Sequence, residues 1–496
     1  MKHLGFLVIL ICILFSSGCE QPSKIDILSE SLTNYEIVAT LDYKNKTLIA
    51  DEKVYYQNNS DQELNELKFH LYPNAFKETA EKTKCVNATQ FSRAYPNGFS
   101  EGGIQIREVL LNEKCAEFAI SGEEENILSI TLEDALRPNN CVCLEIKFDL
   151  TIPNCVHRFG YGNNTLNLGN WYPIACVFEA GEFMTDGYCA NGDPFFSEVA
   201  NYWVTINYPS MLKLAHTGEK VGESISKDIT STQIKAKVVR DFACVFSEKF
   251  NTISANLGET QINYFYYDDA NEKKHLGVCI DAVNTFNQLF GAYPYSVLNV
   301  VKANFFQGGM EYPQLVYISD MVDNEEEYVN VIVHEIAHQW WYGVVGNNEC
   351  ENAWIDEGLA EYSTALFYDR NPIYGKNTED VINSALSSYL LFVDVYKEVY
   401  EDFDSSMNRN IHKFNTESEY VYLTYVKGVL MFDSICELIG ERKMEQSLRE
   451  LYSVNSFKNV KPVDIVLAFE NISRKKLGGY IMSWLDGSVI FEELTG

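Results

Sequence analysis

The sequence predicts an α+β protein of more than one domain, with an all-β region at residues 32–250 and a mainly helical region at residues 251–496. The first observation is the length, because 496 residues exceed what one ordinary hydrophobic core holds. The second is the change in hydrophobic period, from every second residue in the first half to every third or fourth in the second. A hydrophobic content of 46% is ordinary for a globular protein.

Three segments of the first half alternate apolar and polar residues, which is typical of half-buried strands. Turns containing glycine, proline or asparagine lie between them. The predicted inward residues are Tyr35, Ile37, Ala39, Leu41 and Tyr43, then Leu144, Ile146, Phe148, Leu150 and Ile152, then Tyr202, Val204, Ile206 and Tyr208.

The pattern becomes helical after residue 250. An apolar stripe at residues 276–289 predicts a helix that ends at Gly291. A strand is predicted at residues 297–306, and further helices around residues 328–342, 354–367 and 425–438.

The most informative motif is His334-Glu335-Ile336-Ala337-His338, which lies within the helix predicted at residues 328–342. Residues four apart lie on one helical face, so His334 and His338 can offer two imidazole nitrogens to one zinc ion. Glu335 lies beside them, where it can act on a water molecule. The alternative is a pair of core histidines held by hydrogen bonds.

Glu357 decides between these interpretations. A catalytic zinc keeps three protein ligands and one open position, and a loop marked by Gly343 and Gly346 would let the next helix return Glu357 to the histidines. The predicted metal ligands are therefore His334, His338 and Glu357.

These motifs resemble the M1 family of zinc aminopeptidases, the gluzincins that include aminopeptidase N and leukotriene A4 hydrolase. The shared features are the spacing of eighteen residues between His338 and Glu357, the tryptophan-x-x-glutamate-glycine setting of Glu357, and the segment at residues 338–343. A metzincin would carry a third histidine shortly after His338, and this chain has none there.

The resemblance extends over residues 32–490 and implies a fold. It implies an amino-terminal β sandwich or saddle followed by a thermolysin-like catalytic domain. Residues 69–74 and 170–173 resemble sequence motifs that recur in the amino-terminal domain of the family. Large members continue into a helical domain that caps the active site. This chain is expected to lack it and to have a more open cleft.

Two further segments are similar to the substrate-binding and catalytic motifs of the family. In the segment Gly308-Gly309-Met310-Glu311, the glycines would let a substrate backbone approach, and Glu311 would bind the free amino terminus. The chain departs from the family at Tyr312, where an asparagine is usual. The tyrosine of the segment Tyr425-Val426-Lys427-Gly428 would stabilise the oxyanion, with Tyr420 and Tyr422 as neighbouring candidates.

The resemblance therefore implies a zinc-dependent aminopeptidase that binds one Zn²⁺ per chain and acts on peptides. Glu335 would serve as general base towards a zinc-activated water, and Tyr425 would stabilise the oxyanion. A zinc endopeptidase with an open cleft is the second interpretation. A surface lipoprotein that uses the fold only for binding is the third.

The amino terminus resembles a bacterial lipoprotein signal. A short basic start and an apolar run at residues 4–15, too short to span a bilayer, precede Ser16-Ser17-Gly18-Cys19. We expect residues 1–18 to be removed, Cys19 to be lipidated, and residues 19–31 to form a tether. The protein would then lie on the outer face of the cell membrane. Plain secretion and an uncleaved anchor are the alternatives.

Charge and cysteine content limit the remaining functions. A net charge of −31 argues against nucleic-acid binding. Beyond Cys12 and Cys19 the chain has eleven cysteines, without the spacing of a zinc ribbon. The sequence predicts that they are buried thiols, and it identifies no disulfide.

Overall fold

The structure is a computed structural model, and it describes residues 23–78, 85–400 and 403–489. The predicted signal peptide and the lipidation site at Cys19 lie outside the described residues. Within the described part of the chain, no helix has both the length and the apolar composition needed to cross a membrane.

The first half of the described chain is built from strands, as predicted. They are β1 (Asn34–Asp42), β2 (Thr47–Gln57), β3 (Leu64–His70), β4 (Gly103–Leu111), β5 (Lys114–Cys115), β6 (Phe118–Ser121), β7 (Ile127–Leu136), β8 (Cys141–Thr151), β9 (Phe159–Tyr161), β10 (Leu166–Leu168), β11 (Ile174–Ala175), β12 (Phe178–Glu179), β13 (Glu182–Phe183), β14 (Ala200–Pro209), β15 (Lys213–His216), β16 (Glu219–Ser226), β17 (Ile229–Val239) and β18 (Cys244–Ser247).

These strands form one large sheet and smaller sheets packed against it. The large sheet has eight strands in the order β16-β17-β14-β1-β2-β8-β4-β5. Two sheets of four strands, β15-β18-β10-β9 and β11-β3-β7-β6, and the hairpin β12-β13 complete the region. The three predicted strands are β1, β8 and β14. The structure buries the residues predicted to point inward, which are Tyr35, Ile37, Ala39 and Leu41 in β1, Leu144, Ile146, Phe148 and Leu150 in β8, and Tyr202, Val204, Ile206 and Tyr208 in β14.

The second half begins with a mixed sheet in the order β19-β20-β21-β23-β22. Its strands and the last pair are β19 (Asn251–Leu257), β20 (Thr260–Tyr266), β21 (Val297–Ala303), β22 (Gly309–Met310), β23 (Leu315–Ser319), β24 (Gly346–Asn347) and β25 (Asn459–Val460).

Helices follow and surround this sheet. The helices of the described chain are α1 (Lys24–Ser29), α2 (Phe91–Ala94), α3 (Glu272–Leu289), α4 (Glu325–Ala337), α5 (Glu349–Asn352), α6 (Trp354–Arg370), α7 (Thr378–Val399), α8 (Glu417–Val421), α9 (Lys427–Ile439), α10 (Glu441–Asn455), α11 (Pro462–Ser473) and α12 (Gly478–Leu485), with a π-helical turn at Tyr422–Val426 and 3₁₀ turns at Tyr72–Phe76, Pro372–Tyr374 and Ile411–Lys413. The prediction of a β-rich region followed by a mainly helical one is confirmed.

Helix α4 carries the histidine motif and begins as its sequence dictates. The Asn324 side chain accepts a hydrogen bond from the Glu327 backbone amide, which caps the helix. Three glutamates in the first turn complement the helix dipole. The apolar face of α4 packs against α3, α6 and β23, so the motif lies on a rigid and buried element.

Strand β21 ends three residues earlier than predicted, at Ala303. Its continuation pairs with the β-rich region instead of with the sheet. The Asn304 amide donates to Thr165 Oγ1 at 2.9 Å, and the Phe306 amide donates to the Val156 carbonyl at 3.0 Å. The β-rich region thereby holds the segment that leads into β22.

Arg240 provides a second connection between the two halves. The side chain is buried, and its Nε donates to the Tyr342 carbonyl at 2.6 Å while Nη2 donates to the Lys458 carbonyl at 2.8 Å. Tyr342 lies four residues beyond His338, so this arginine supports the loop that follows helix α4.

The cysteine prediction is partly wrong. Among the eleven described cysteines, Cys115 and Cys141 are exposed, and Cys143 and Cys436 are half-buried. Cys115 ends β5, at the edge of the large sheet, and Cys141 is the first residue of β8.

Candidate metal centre and active site

The structure brings the three predicted ligands together. His334 Nε2 and His338 Nε2 are 3.0 Å apart, and Glu357 Oε2 lies 3.3 Å from the first and 3.2 Å from the second. All three side chains are buried. Helices α4 and α6 pack side by side, which places Glu357 opposite the two histidines.

These distances fit a shared zinc ion. Zinc binds imidazole nitrogen at about 2.0–2.1 Å in tetrahedral geometry, so neighbouring ligand atoms lie about 3.3 Å apart. Two imidazoles and one carboxylate are also the donor set of a catalytic site that keeps a fourth position open. In addition, Glu357 Oε2 has no hydrogen-bond donor among the described residues. The residues present therefore fit the metal.

The other nitrogen of each histidine lies within 3.1 Å of an oxygen atom. His338 Nδ1 lies 2.9 Å from the Trp341 carbonyl, which can only accept a hydrogen bond. His334 Nδ1 lies 3.1 Å from Glu361 Oε1, one turn beyond Glu357 on α6. Both contacts favour a proton on Nδ1 and leave Nε2 free to bind a metal.

Glu335 faces the same cluster from the adjacent position on α4. Burial raises the pKa of this carboxyl to about 7, although the nearby His334 and His338 oppose the shift. Its carboxylate packs against Gly309 so closely that a Cβ at Gly309 would lie 2.3 Å from Glu335 Oε1. The absence of a side chain at Gly309 is therefore required for the position of Glu335.

The segment that contains Glu311 lies beside Glu335. Gly309 and Met310 form the short strand β22, which pairs antiparallel with β23 and lies at the end of its sheet. Gly308 is exposed, whereas Met310 and Glu311 are buried. Burial raises the pKa of Glu311 well above its usual range, and Asp193 is the charged neighbour that adds most to this shift.

Gln339 connects this segment to the metal-binding helix. Its Nε2 donates to the Glu311 and Tyr312 carbonyls at 3.3 and 3.2 Å, and its Oε1 accepts from the Gln314 amide at 2.8 Å. The residue directly after His338 therefore fixes the position of Glu311 relative to the ligands.

Tyr312 does not face the cleft. Its hydroxyl donates to Asn170 Oδ1 at 2.6 Å inside the β-rich region. Gly169 makes room for the ring, because a Cβ there would lie 1.9 Å from the Tyr312 hydroxyl. The departure from the family pattern at this position is thus accommodated by the core behind the cleft.

Tyr425 lies beside the ligands, unlike Tyr422. The Tyr425 hydroxyl donates a hydrogen bond to Glu357 Oε1, and its ring stacks on His334 with centroids 5.8 Å apart. Tyr422 stacks on Phe392 instead, at 4.6 Å. Tyr420 is buried behind Tyr425 at 5.9 Å. Tyr425 lies in the π-helical turn, a local irregularity that is frequent at functional sites.

Two further buried carboxyl groups, those of Asp356 and Glu349, lie close to Glu357. Burial raises the pKa of Asp356 to about 7, and Asn347 Nδ2 donates to this carboxylate at 2.8 Å. Burial also raises the pKa of Glu349 well above its usual range. The candidate ligand Glu357 behaves differently: burial would raise its pKa, but the paired histidines outweigh this effect and lower the pKa to about 2.

The sequence prediction gave no role to several residues at the site, among them Gln339, Glu361, Arg158 and Asp193. Glu361 could have been found, because it lies four residues after Glu357 and therefore on the same helical face. Arg158 and Asp193 come from the β-rich region, more than a hundred residues before the motif, and no local signal marks them.

The fold and the candidate site are those expected of a gluzincin-type metallopeptidase. Comparisons with known proteins agree. A model of the Peptidase family M1 domain matches residues 274–484. The M1 zinc metallopeptidase from Deinococcus radiodurans has a similar structure, with a TM-score of 0.66 at 14% sequence identity, covering 93% of this chain and 95% of that one.

Curated relatives match shorter segments. Leucine aminopeptidase 2-1 of Meyerozyma guilliermondii is 24% identical over 168 residues, which are 32% of this chain and 26% of that protein. Human aminopeptidase B is 31% identical over 107 residues, 20% of this chain and 16% of the relative. The chain thus spans less than a third of the length of these relatives.

The part of the chain that matches the Peptidase family M1 domain, residues 274–484, contains the histidine motif, Glu357 and Tyr425. The resemblance to M1 zinc metallopeptidases predicted from the motifs is confirmed, as is the fold class.

Proposed function

We propose that this protein is a zinc-dependent aminopeptidase that removes amino-terminal residues from peptides. The observation that carries the proposal is the convergence on one cleft of the metal-binding atoms of His334, His338 and Glu357, the Glu335 carboxylate and the Tyr425 hydroxyl. The segment ending in Glu311 lies along the same cleft.

Each of these groups has a separate role in the proposed peptide hydrolysis. Bound zinc supplies Lewis acidity, which lowers the pKa of water from ~15.7 to about 7. Glu335 accepts the proton of the attacking water and later delivers it to the leaving amine, a task for which a carboxyl pKa of about 7 is suited. Tyr425 turns its hydroxyl from Glu357 to the carbonyl oxygen as negative charge develops there.

The exopeptidase character rests on Glu311. A buried carboxylate at the end of an edge strand can bind an ammonium group while the strand pairs with the substrate backbone. The substrate would then enter with its first peptide bond at the metal. A variant of the Deinococcus radiodurans M1 zinc metallopeptidase has been solved with a Tyr-Ser-Ala substrate, at a TM-score of 0.65 to this chain, which supports a peptide ligand.

The decisive test compares a free and a blocked amino terminus. Purified protein is assayed with leucine amide and N-acetyl-leucine amide, with a zinc chelator and after addition of zinc. We expect hydrolysis of the free amide alone, loss on chelation and recovery with zinc. Glu335→Gln should bind zinc but lose activity, which separates catalysis from metal binding.

Two other outcomes distinguish the alternatives. Cleavage of internal bonds in N-acetylated peptides would identify an endopeptidase. Zinc binding by the wild-type protein without hydrolysis of any peptide would favour the binding lipoprotein.

We propose further that the protein is a lipoprotein attached through Cys19 to the outer face of the bacterial cell membrane. The support is the sequence at residues 1–19 alone. Mass spectrometry of the amino-terminal peptide from the native host tests this, because lipidation adds acyl chains to Cys19 and Cys19→Ser abolishes them. An unmodified peptide that begins before residue 19 would contradict the proposal.

A further inference from the structure

Helix α1 fixes the point at which the amino terminus leaves the folded protein. The Ser23 side chain caps this helix by accepting a hydrogen bond from the Asp26 amide. Asp26 Oδ1 in turn lies 2.5 Å from Nζ of Lys237, near the end of β17. Three residues separate Ser23 from Cys19, and a fully extended chain of that length spans at most ~14 Å. A lipid on Cys19 would therefore hold the α1 side of the protein next to the bilayer.

The edge strand of the large sheet runs along this side of the protein. Strand β16 lies at the end of the eight-stranded sheet, and its Glu219 lies opposite Lys235, two residues before the contact of β17 with α1. The eight residues of β16 span ~23 Å. Val221 and Ile225 of this strand are exposed to solvent, Ile225 by 66%.

The far end of β16 lies beside two more exposed apolar side chains. Ile229 follows the turn that joins β16 to β17, and Met211 follows the end of β14. The two turns contact each other, because the Ser210 amide donates to the Asp228 carbonyl at 2.8 Å. The exposed apolar side chains of this edge are hereafter called the β16 strip: Met211, Val221, Ile225 and Ile229.

The β16 strip is flanked by basic residues in a strongly acidic protein. Residues 211–237 carry five lysines and three acidic residues, whereas the whole chain has a net charge of −31. Helix α7 offers the contrast. It also exposes an apolar stripe, formed by Leu391, Val395 and Val399, but residues 378–399 carry four acidic residues and one lysine. An anionic surface therefore attracts the β16 strip and repels α7.

These properties fit the headgroup surface of a bilayer. Exposed apolar side chains on an open edge strand favour pairing with other chains unless something covers the edge. A bilayer accepts such side chains at the boundary of its acyl chains, while neighbouring lysines extend to the anionic headgroups. The β16 strip and its lysines are thus suited to the membrane that would hold the lipid.

We propose that the β16 strip and α1 lie against the bilayer, with Ile225 and Met211 inserted at the level of the headgroups. The proposal rests on the lipoprotein attachment through Cys19 proposed above. It adds the surface that the folded protein turns towards the membrane, and with it a fixed orientation in place of free motion on the tether.

A tryptophan reporter on this surface of the lipidated protein tests the orientation. The full-length chain is produced in its native host, purified from the membrane with its lipid, and reconstituted into vesicles of phosphatidylglycerol and phosphatidylcholine. The phosphatidylcholine is either unmodified or brominated on its acyl chains, and bromine quenches tryptophan on contact. The fluorescence that Ile225→Trp adds to the wild-type signal should fall by at least about half with bromine, because interfacial apolar residues lie ~5–10 Å inside the headgroup boundary. Met211→Trp is a second reporter, on the other turn, and should behave in the same way.

Leu391→Trp is the matched control, because Leu391 is also 66% exposed but lies on the acidic helix α7. Its added fluorescence should be the same in both kinds of vesicle. Quenching of Leu391→Trp as strong as that of Ile225→Trp, or no quenching of either reporter on the β16 strip, would overturn the proposal. Wild-type protein that carries no lipid and does not stay with the vesicles would instead refute the attachment through Cys19 on which the proposal depends.

Discussion

Gly358 and Gly428 contact each other where α6 crosses α9. A Cβ on Gly428 would lie 2.8 Å from Gly358 Cα, closer than side chains approach a backbone. Gly358 directly follows the ligand Glu357, and Gly428 lies three residues after Tyr425. The close approach of two helices without side chains between them therefore sets the position of the tyrosine hydroxyl relative to the metal-binding carboxylate.

Gly428→Ala is expected to separate these helices and to lower kcat by about tenfold or more, because small displacements of catalytic groups carry large costs. The gain in helix propensity from alanine, about 1 kcal/mol, does not offset a backbone overlap. Gly358→Ala should be milder, since its nearest contact would be 3.1 Å, to Phe432. Gly277→Ala in α3 is the control, with open space around its Cβ. Equal activity of Gly428→Ala and Gly277→Ala would contradict the argument.

Removal of the Tyr425 hydroxyl separates catalysis from metal binding. Tyr425→Phe retains the ring that stacks on His334 but loses the donor to Glu357 and to the oxyanion. We expect kcat to fall by about 10²–10³ with zinc content unchanged. Tyr422→Phe, whose ring packs on Phe392 away from the ligands, should remain near wild type. Wild-type turnover by Tyr425→Phe would remove this residue from the mechanism.

We expect Glu361 to increase the zinc affinity of the site through its contact with His334. The substitution Glu361→Gln weakens the acceptor 3.1 Å from His334 Nδ1, and such changes typically reduce metal affinity by about 10–100-fold. Zinc affinity is measured by competition with a chromophoric chelator. Asp369→Asn removes an exposed carboxylate from the same helix and should have no effect. Equal zinc affinities of the two variants would show that Glu361 has no influence on the ligand.

The sequence predicted those features whose signal is local. The alternation in β1, β8 and β14 and the stripe of α3 appear within single segments, and the structure places these elements within a few residues of their predicted limits. The histidine motif and Glu357 were identifiable because their spacing is fixed by one helix and one loop.

Contacts between distant segments could not be predicted in this way. The pairing of Arg158 with Asp193 and Gln307 depends on how the β-rich region docks against the catalytic sheet, which no periodicity encodes. The early end of β21 has the same cause. The backbone amides of Asn304 and Phe306 donate to Thr165 and Val156 in the β-rich region instead of to a neighbouring strand of the catalytic sheet. Neither the π-helical turn at Tyr425 nor the close contact of Gly358 and Gly428 has a signature in the residues alone.

Glu52 is a buried carboxyl in the core of the β-rich region. It occupies an inward position of β2, between Ile37 of β1 and Ile146 of β8, and is 1% exposed. Neither of its oxygens has a hydrogen-bond partner among the described residues. Burial raises the pKa of Glu52 well above its usual range, so the group is neutral in the folded protein at moderately acidic pH.

This carboxyl is expected to make the protein less stable as pH rises. The unfolded chain ionises Glu52 above a pKa of about 4.3, while the folded protein keeps it neutral to higher pH. Above a pH of about 4.3 the unfolded state binds fewer protons than the folded state. The free energy of unfolding therefore falls by up to about 1.4 kcal/mol per pH unit until the pH reaches the pKa of Glu52 in the folded protein.

The substitution Glu52→Gln tests this, because glutamine cannot ionise. The unfolding midpoint of this variant in urea should exceed that of the wild type by an amount that grows between pH 5 and pH 7. Glu36→Gln, at an exposed position of β1, should show no such growth. A difference between Glu52→Gln and wild type that is independent of pH would mean that Glu52 is ionised in the folded core and has a partner there.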